Sequence, residues 1–166
     1  MKDIKVGILM GSDSDLPIMQ KASEVLRELG IGYEMDISSA HRTPEKVIRY
    51  VKDIRKRGIE VIIAGAGMAA HLAGFVAAHT TLPVIGVPIR SGALAGIDSL
   101  CSTVQMPPGI PVATVAIDGA KNAAYLAAEI LSIKYEEITR RLEEQRQDMR
   151  NSIEEKSKRL KKKLKP

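Results

Sequence analysis

Three short segments hold the residue types that chemistry on a small anionic ligand needs. Gly11-Ser12-Asp13-Ser14-Asp15 joins two hydroxyls to free backbone amides at a helix start, which makes an anion site. Asp15 can accept hydrogen bonds from ribose hydroxyls. The competing reading is that Ser14 or Asp13 merely caps the helix. Ser38-Ser39-Ala40-His41-Arg42-Thr43 places Arg42, a two-pronged phosphate ligand, beside His41, which can exchange a proton near neutral pH. Gly65-Ala66-Gly67-Met68-Ala69-Ala70-His71 has the G-x-G-x-x-A spacing of a dinucleotide loop. However, it follows the third strand, and no acidic ribose ligand follows the fourth. Gly67 and Ala69 are better read as points where backbone approaches a flat ligand ring, with His71 as a supporting or buried histidine. His79 reads as a C-terminal helix cap.

Other chemistries lack their residues. Three scattered histidines and one cysteine, Cys101, give no metal spacing and no disulfide framework. No Gly-Lys-Ser/Thr follows the first loop, and no G-x-S-x-G elbow occurs. The third strand ends Ile63-Ala64-Gly65, without the carboxylate of a phospho-receiver. Neither a metal nor an organic cofactor is expected.

The elements that must position these loops follow from the apolar spacing. Ile4–Met10 reads as a buried strand and Asp15–Leu29 as a helix with Pro17 in its first turn and Gly30 past its end. Strands follow at Tyr33–Ser38, Val61–Ala64, Pro83–Val87 and Ile110–Ile117. Helices lie between them, one from Thr43, its cap, to Arg57 and one over Met68–His79. Gly92–Gln105 is a loop with a short helix, and one long helix runs from Gly119 or Ala120 to Leu164. This alternation predicts a single-domain three-layer α/β/α fold with a five-stranded parallel sheet, flavodoxin-like. Such sheets bind ligands beyond the carboxyl ends of their strands, where all three loops lie. The organisation expected is a catalytic domain over 1–135 and a helical arm over 136–166.

Charge and hydropathy narrow the partners. The 166 residues carry a net charge of +5 and a pI near 9.3, with no Trp and one Phe. Residues 1–155 hold 18 basic and 20 acidic side chains, so the basic character sits in the tail, where Lys156–Lys165 has seven basic residues and no acidic one. A solvated helix end complementing its dipole accounts for that run, and nucleic acid is not an expected partner. Val61–Ala78 is uncharged, but its Ala, Gly and His71 suit a strand and a small-residue helix better than a membrane span. No signal peptide is visible at the N-terminus, so a cytoplasmic protein is expected.

Taken in order, GSDSD, SAHRTP, AGAGMAAHL, GVP, DSL, VQMPPGIPV and AKNAA resemble the PurE family of purine biosynthesis over about residues 4–135. The resemblance implies an isomerase that moves the carboxylate of 5-(carboxyamino)imidazole ribonucleotide to a ring carbon, giving 4-carboxy-5-aminoimidazole ribonucleotide. A second class of the family instead carboxylates aminoimidazole ribonucleotide with free carbon dioxide. Arg42 in SAHRTP and the AGAG-x-AAHL loop resemble the mutase class. Met68 stands where that class usually has Gly, and Ala73 where it usually has Pro. By the same resemblance His41 is the acid/base, and Ser12, Asp15 and Arg42 bind substrate. Ser14 and Ser39 assist at the phosphate, and Gly67, Ala69 and His71 of the third loop complete the expected substrate-binding set. The family forms octamers with shared sites, which implies a homo-octamer here. The rival classes are a noncatalytic nucleotide- or FMN-binding module and, resting only on the tail, a nucleic-acid binder.

Overall fold

The computed structural model describes residues 3–164. Strands β1 (Ile4–Met10), β3 (Val61–Gly67) and β4 (Val84–Ile89) are near-continuous apolar runs, as strands covered on both faces must be. With β2 (Gly32–Ile37) and β5 (Ala113–Thr114) they form one sheet in the order β2-β1-β3-β4-β5, every pair parallel. Helices α1 (Leu16–Glu28), α2 (Pro44–Asp53), α3 (Leu72–Ala77), α4 (Ile97–Val104) and α5 (Ala120–Ser132) connect or cover the strands. The flavodoxin-like three-layer architecture is therefore the one the chain adopts.

Alternation along the strands builds a core on each face. Val6, Ile8, Met10, Val61, Ile63, Ile85 and Val87 pack against α1 and α5. Leu9, Ile62, Ala64 and Val84 pack against α2 and α3. Burying each large aliphatic side chain contributes about 1.5–3 kcal/mol. Ala120, Ala123, Ala124, Ala127 and Ala128 of α5 are all fully buried, and their small side chains let α5 lie close to the sheet and to α1.

Four local expectations change. The strand expected over Val61–Ala64 continues to Gly67, because β3 keeps pairing with β4 as far as Gly67 opposite Ile89. Met68 then adopts a φ of 55°, so α3 begins at Leu72 instead of Met68. The fifth strand shrinks to Ala113–Thr114, and Pro111, near the start of the expected span, lacks the amide hydrogen that a ladder needs. Thr43 makes no capping bond to α2. Its Oγ1 turns back, accepting from Ser39 N at 3.1 Å and donating to Ser39 O at 3.2 Å.

The fourth change concerns the terminal helix, which is two helices. α5 stops at Ser132 and α6 (Glu136–Lys163) starts after an extended Tyr135. Glu60 pins that corner. Its carboxylate accepts from Tyr135 Oη, from Lys134 Nζ at 3.2 Å to each oxygen, and pairs with Lys5 Nζ at 3.3 Å. The first turns of α6 then lie on the body of the protein. Ile138 and Leu142 are buried, and Arg141 Nη1 donates to Leu29 O at 2.5 Å. From Met149 onward α6 is exposed.

Candidate functional site

The strand order puts a crevice where it is needed. From β1 the chain turns to the α1 face, and from β3 to the opposite face with α3, so their loops part above the carboxyl ends of the strands. A cleft of about 510 Å³ opens there, and the loop after β2 closes its side. All nine site residues expected from the sequence line it: Ser12, Ser14, Asp15, Ser39, His41, Arg42, Gly67, Ala69 and His71. A larger hollow of about 840 Å³ lies at the other end of the sheet, between α2, the end of α3 and the starts of β4 and β5. It contains His79, whose Nδ1 lies 2.7 Å from Phe75 O at the end of α3, so this residue is the expected helix cap.

One end of the cleft is built from hydroxyls and a guanidinium. Ser12, not Ser14 or Asp13, caps the short 3-10 turn Asp13–Asp15. Its Oγ accepts from Ser14 N at 3.4 Å, while Asp15 Oδ2 accepts from Ser12 N at 3.0 Å. Arg42 stitches this loop to its own: Nη2 donates to Gly11 O at 2.7 Å and Nε to Ser39 Oγ at 3.4 Å. Ser39 Oγ also accepts from Arg42 N at 3.1 Å, fixing the turn that carries His41. The Nη1 edge of the guanidinium has no protein acceptor among the described residues, which leaves it for an anion.

The two aspartates of the first loop differ in environment. Asp15 is only 6% exposed. Burial pushes its carboxyl above the ordinary aspartate value, against the pull of the Ser12 and Gly11 amides and of Arg42. Asp13 is at the surface, and the Ser12 hydroxyl, the Ser14 amide and its own amide hold it below that value. A buried carboxylate facing the cleft is a strong acceptor for hydroxyl groups, whereas Asp13 is satisfied within its loop.

In the same cleft two imidazoles meet. His41 Nε2 lies 2.9 Å from His71 Nδ1, with the rings nearly perpendicular at 83°. The two nitrogens are within hydrogen-bonding distance, and the tautomers of the pair set which ring donates and which accepts. The wall beside them is Ala66, Gly67, Met68 and Ala69, small except for Met68, which is 61% exposed. Ser91, beyond β4, opens the Ser91-Gly92-Ala93-Leu94 run, whose small residues suit an apolar niche, but nothing in the sequence gives its hydroxyl a partner. Its Oγ nevertheless accepts from Met68 N at 3.0 Å, a contact between loops 23 residues apart.

A doubly wound sheet with a guanidinium, serine hydroxyls and a hydrogen-bonded histidine pair at its switch point defines a class: an α/β protein equipped for acid–base work on a small anionic ligand. The comparisons with known proteins are narrower. The family model described as AIR carboxylase matches residues 5–152. The N5-carboxyaminoimidazole ribonucleotide mutase of Pyrococcus horikoshii is 64% identical over 155 residues, covering 93% of this chain and 88% of that protein. The protein of the same name from Bacillus subtilis is 54% identical over 157 residues, covering 93% and 97%. The crystal structure of Treponema denticola PurE2-S38D superposes with a TM-score of 0.88 at 34% identity, covering 97% of this chain and 99% of that one. This chain belongs to the AIR carboxylase family.

Proposed function

We infer that the protein is an isomerase of purine biosynthesis that converts 5-(carboxyamino)imidazole ribonucleotide to 4-carboxy-5-aminoimidazole ribonucleotide. The observation that carries this reading is the His41–His71 pair at 2.9 Å, in one cleft with Arg42 and its serines. Arg42, Ser12, Ser14 and Ser39 take the phosphate, Asp15 takes the ribose hydroxyls, and Gly67 and Ala69 lie against the imidazole ring. The mutase relatives, which share more than half their residues with this chain, support the same substrate.

The chemistry needs one proton and one place to keep carbon dioxide. The exocyclic N–C bond of the carbamate breaks, its electrons return to nitrogen, and His41 gives that nitrogen a proton. The enamine-like ring carbon then attacks the carbon dioxide, forming the C–C bond. His41 takes the ring proton, aromaticity returns, and the histidine regains its starting state. Carbon dioxide held dry beside the small-residue loop keeps its effective concentration high.

Leu16, Ile37, Met68, Leu94 and Ile97 are exposed on the loops or element ends around this end of the sheet. That apolar rim supports a homo-oligomer, and the resemblance supports an octamer, with 136–166 as an arm toward neighbouring subunits. Sedimentation as a monomer at micromolar concentration contradicts it. No helix among the described residues is long and apolar enough to cross a membrane, and a cytoplasmic location suits the reading.

His41→Asn tests the mechanism. The variant should fold and bind the nucleotide but lose turnover, and near-normal turnover refutes the role given to His41. Supplying each substrate separately, with bicarbonate varied, separates mutase from carboxylase.

A further inference from the structure

The turn after β3 passes through a conformation that its own sequence opposes. Met68 has a φ of 55°, the left-handed region that glycine enters freely and a residue with a Cβ does not. The Met68 side chain is 61% exposed, so packing does little to hold it there. The contact that bears on it is the hydrogen bond from Met68 N to Ser91 Oγ, 3.0 Å long. Gly67, one residue earlier, lies so near Ser91 that a Cβ at 67 would collide with Oγ and stand 3.1 Å from the serine Cβ. The segment before Ser91 is itself anchored. Arg90 N donates to Asp118 Oδ1 at 2.9 Å, and Asp118 N donates to Pro88 O at 2.9 Å. Three residues beyond the turn stands His71, whose ring meets His41.

We propose that Ser91 is a positioning residue: its hydroxyl holds Met68 in the left-handed turn, and that turn aims His71 at His41. The inference rests on the acid–base role given to His41 above. Ser91 makes no hydrogen bond to either imidazole and acts through the backbone. Without the hydroxyl, Met68 relaxes out of the left-handed region, the segment from Met68 to His71 shifts, and the 2.9 Å contact lengthens.

The test uses Ser91→Ala in two backgrounds, the parent and Met68→Gly, in the full-length protein. In the parent, Ser91→Ala should lower kcat about tenfold, the factor that one net hydrogen bond of ordinary strength represents, with KM within about twofold. The limb of the pH–rate profile set by His41 should move, because its ring has lost its partner. In the Met68→Gly background, the same Ser91→Ala should cost less than about threefold, since glycine keeps the turn without the bond. Ring-nitrogen NMR of the ligand-free protein reads the His41–His71 hydrogen bond without turnover. Absence of mutase activity in the parent chain would overturn the functional reading, while the spectra would still decide the positioning. A Ser91→Ala protein with parental spectra and pH profile, or equal losses in both backgrounds, overturns the proposal.

Discussion

Asp15→Asn should separate what this residue does for the ligand from what it does for the fold. The carboxylate is buried and held by the Ser12 amide at 3.0 Å, and burial raises its pKa above the ordinary 3.8. A raised pKa means that the folded state disfavours the charge. This cost is absent below the unfolded value and appears as pH rises through the folded value. Asparagine removes the charge and can still accept the Ser12 amide. The ligand-free variant should therefore hold or gain stability at neutral pH, by up to about 1 kcal/mol or roughly 2–4 °C, and gain less at pH 3. Binding should go the other way. Hydrogen bonds to a charged acceptor are worth about 1.5–3 kcal/mol each, against about 0.5–1.5 for a neutral one. Two ribose hydroxyls then lose about 2–3 kcal/mol together, a rise in KM of about 30- to 150-fold. Steady-state kinetics, calorimetric titration with the product nucleotide and thermal melts at two pH values supply the three readings. A KM within twofold of the parent's, or a melting point that falls several degrees at neutral pH, would show that Asp15 serves the turn and not the sugar.

Two further outcomes follow from the fold. Burial opposes the charge of Glu60, but hydrogen bonds from Tyr135, Lys134 and Lys5 outweigh it and hold the carboxyl below its ordinary 4.5. Its contribution is therefore present at neutral pH and lost as pH falls through the lowered value. Glu60→Gln should speed amide exchange across residues 133–140 at pH 7, with the difference from the parent shrinking as pH falls through the lowered value; exchange unchanged at pH 7 counts against the corner being pinned there. Gly86→Ala adds a Cβ that collides with Thr103 Cγ2 and lies 2.8 Å from Val112 Cγ1 in the sheet centre. Urea unfolding should show a loss of about 1–3 kcal/mol, and a loss under about 0.5 would mean that α4 shifts without strain.

Much of the site was legible because its residues lie where strands end. In a parallel α/β chain the segment after each strand must cross the carboxyl edge of the sheet. Ser12, Asp15, His41, Arg42 and His71 thus share one edge wherever the strands lie in the order. Less legible were the contacts between loops. Thr43 looks like a cap beside Pro44, yet Ser39, four residues earlier, takes its hydroxyl. Arg42 reads as a free phosphate ligand, yet one of its nitrogens is already committed to Gly11 O. Such choices depend on competition between partners that the chain brings together only on folding.

The terminal helix marks the same boundary. Nothing in the run from Ala120 to Lys163 forbids continuous helix, since it contains neither Pro nor Gly. The break at Ile133–Tyr135 comes from Glu60, 74 and 75 residues away in sequence, which draws Lys134 and Tyr135 down to the starts of β1 and β3. Likewise, residue types alone gave His41 and His71 as separate candidates, because local pattern records how each is exposed to its neighbours in the chain. Their pairing at 2.9 Å required β1 to lie between β2 and β3 and Met68 to take its left-handed turn. Composition and spacing determined the layers, the edge that holds the chemistry and the kinds of group present there. Which groups touch was decided by tertiary structure, because hydrogen bonds between loops act at short range and only folding brings those loops within it.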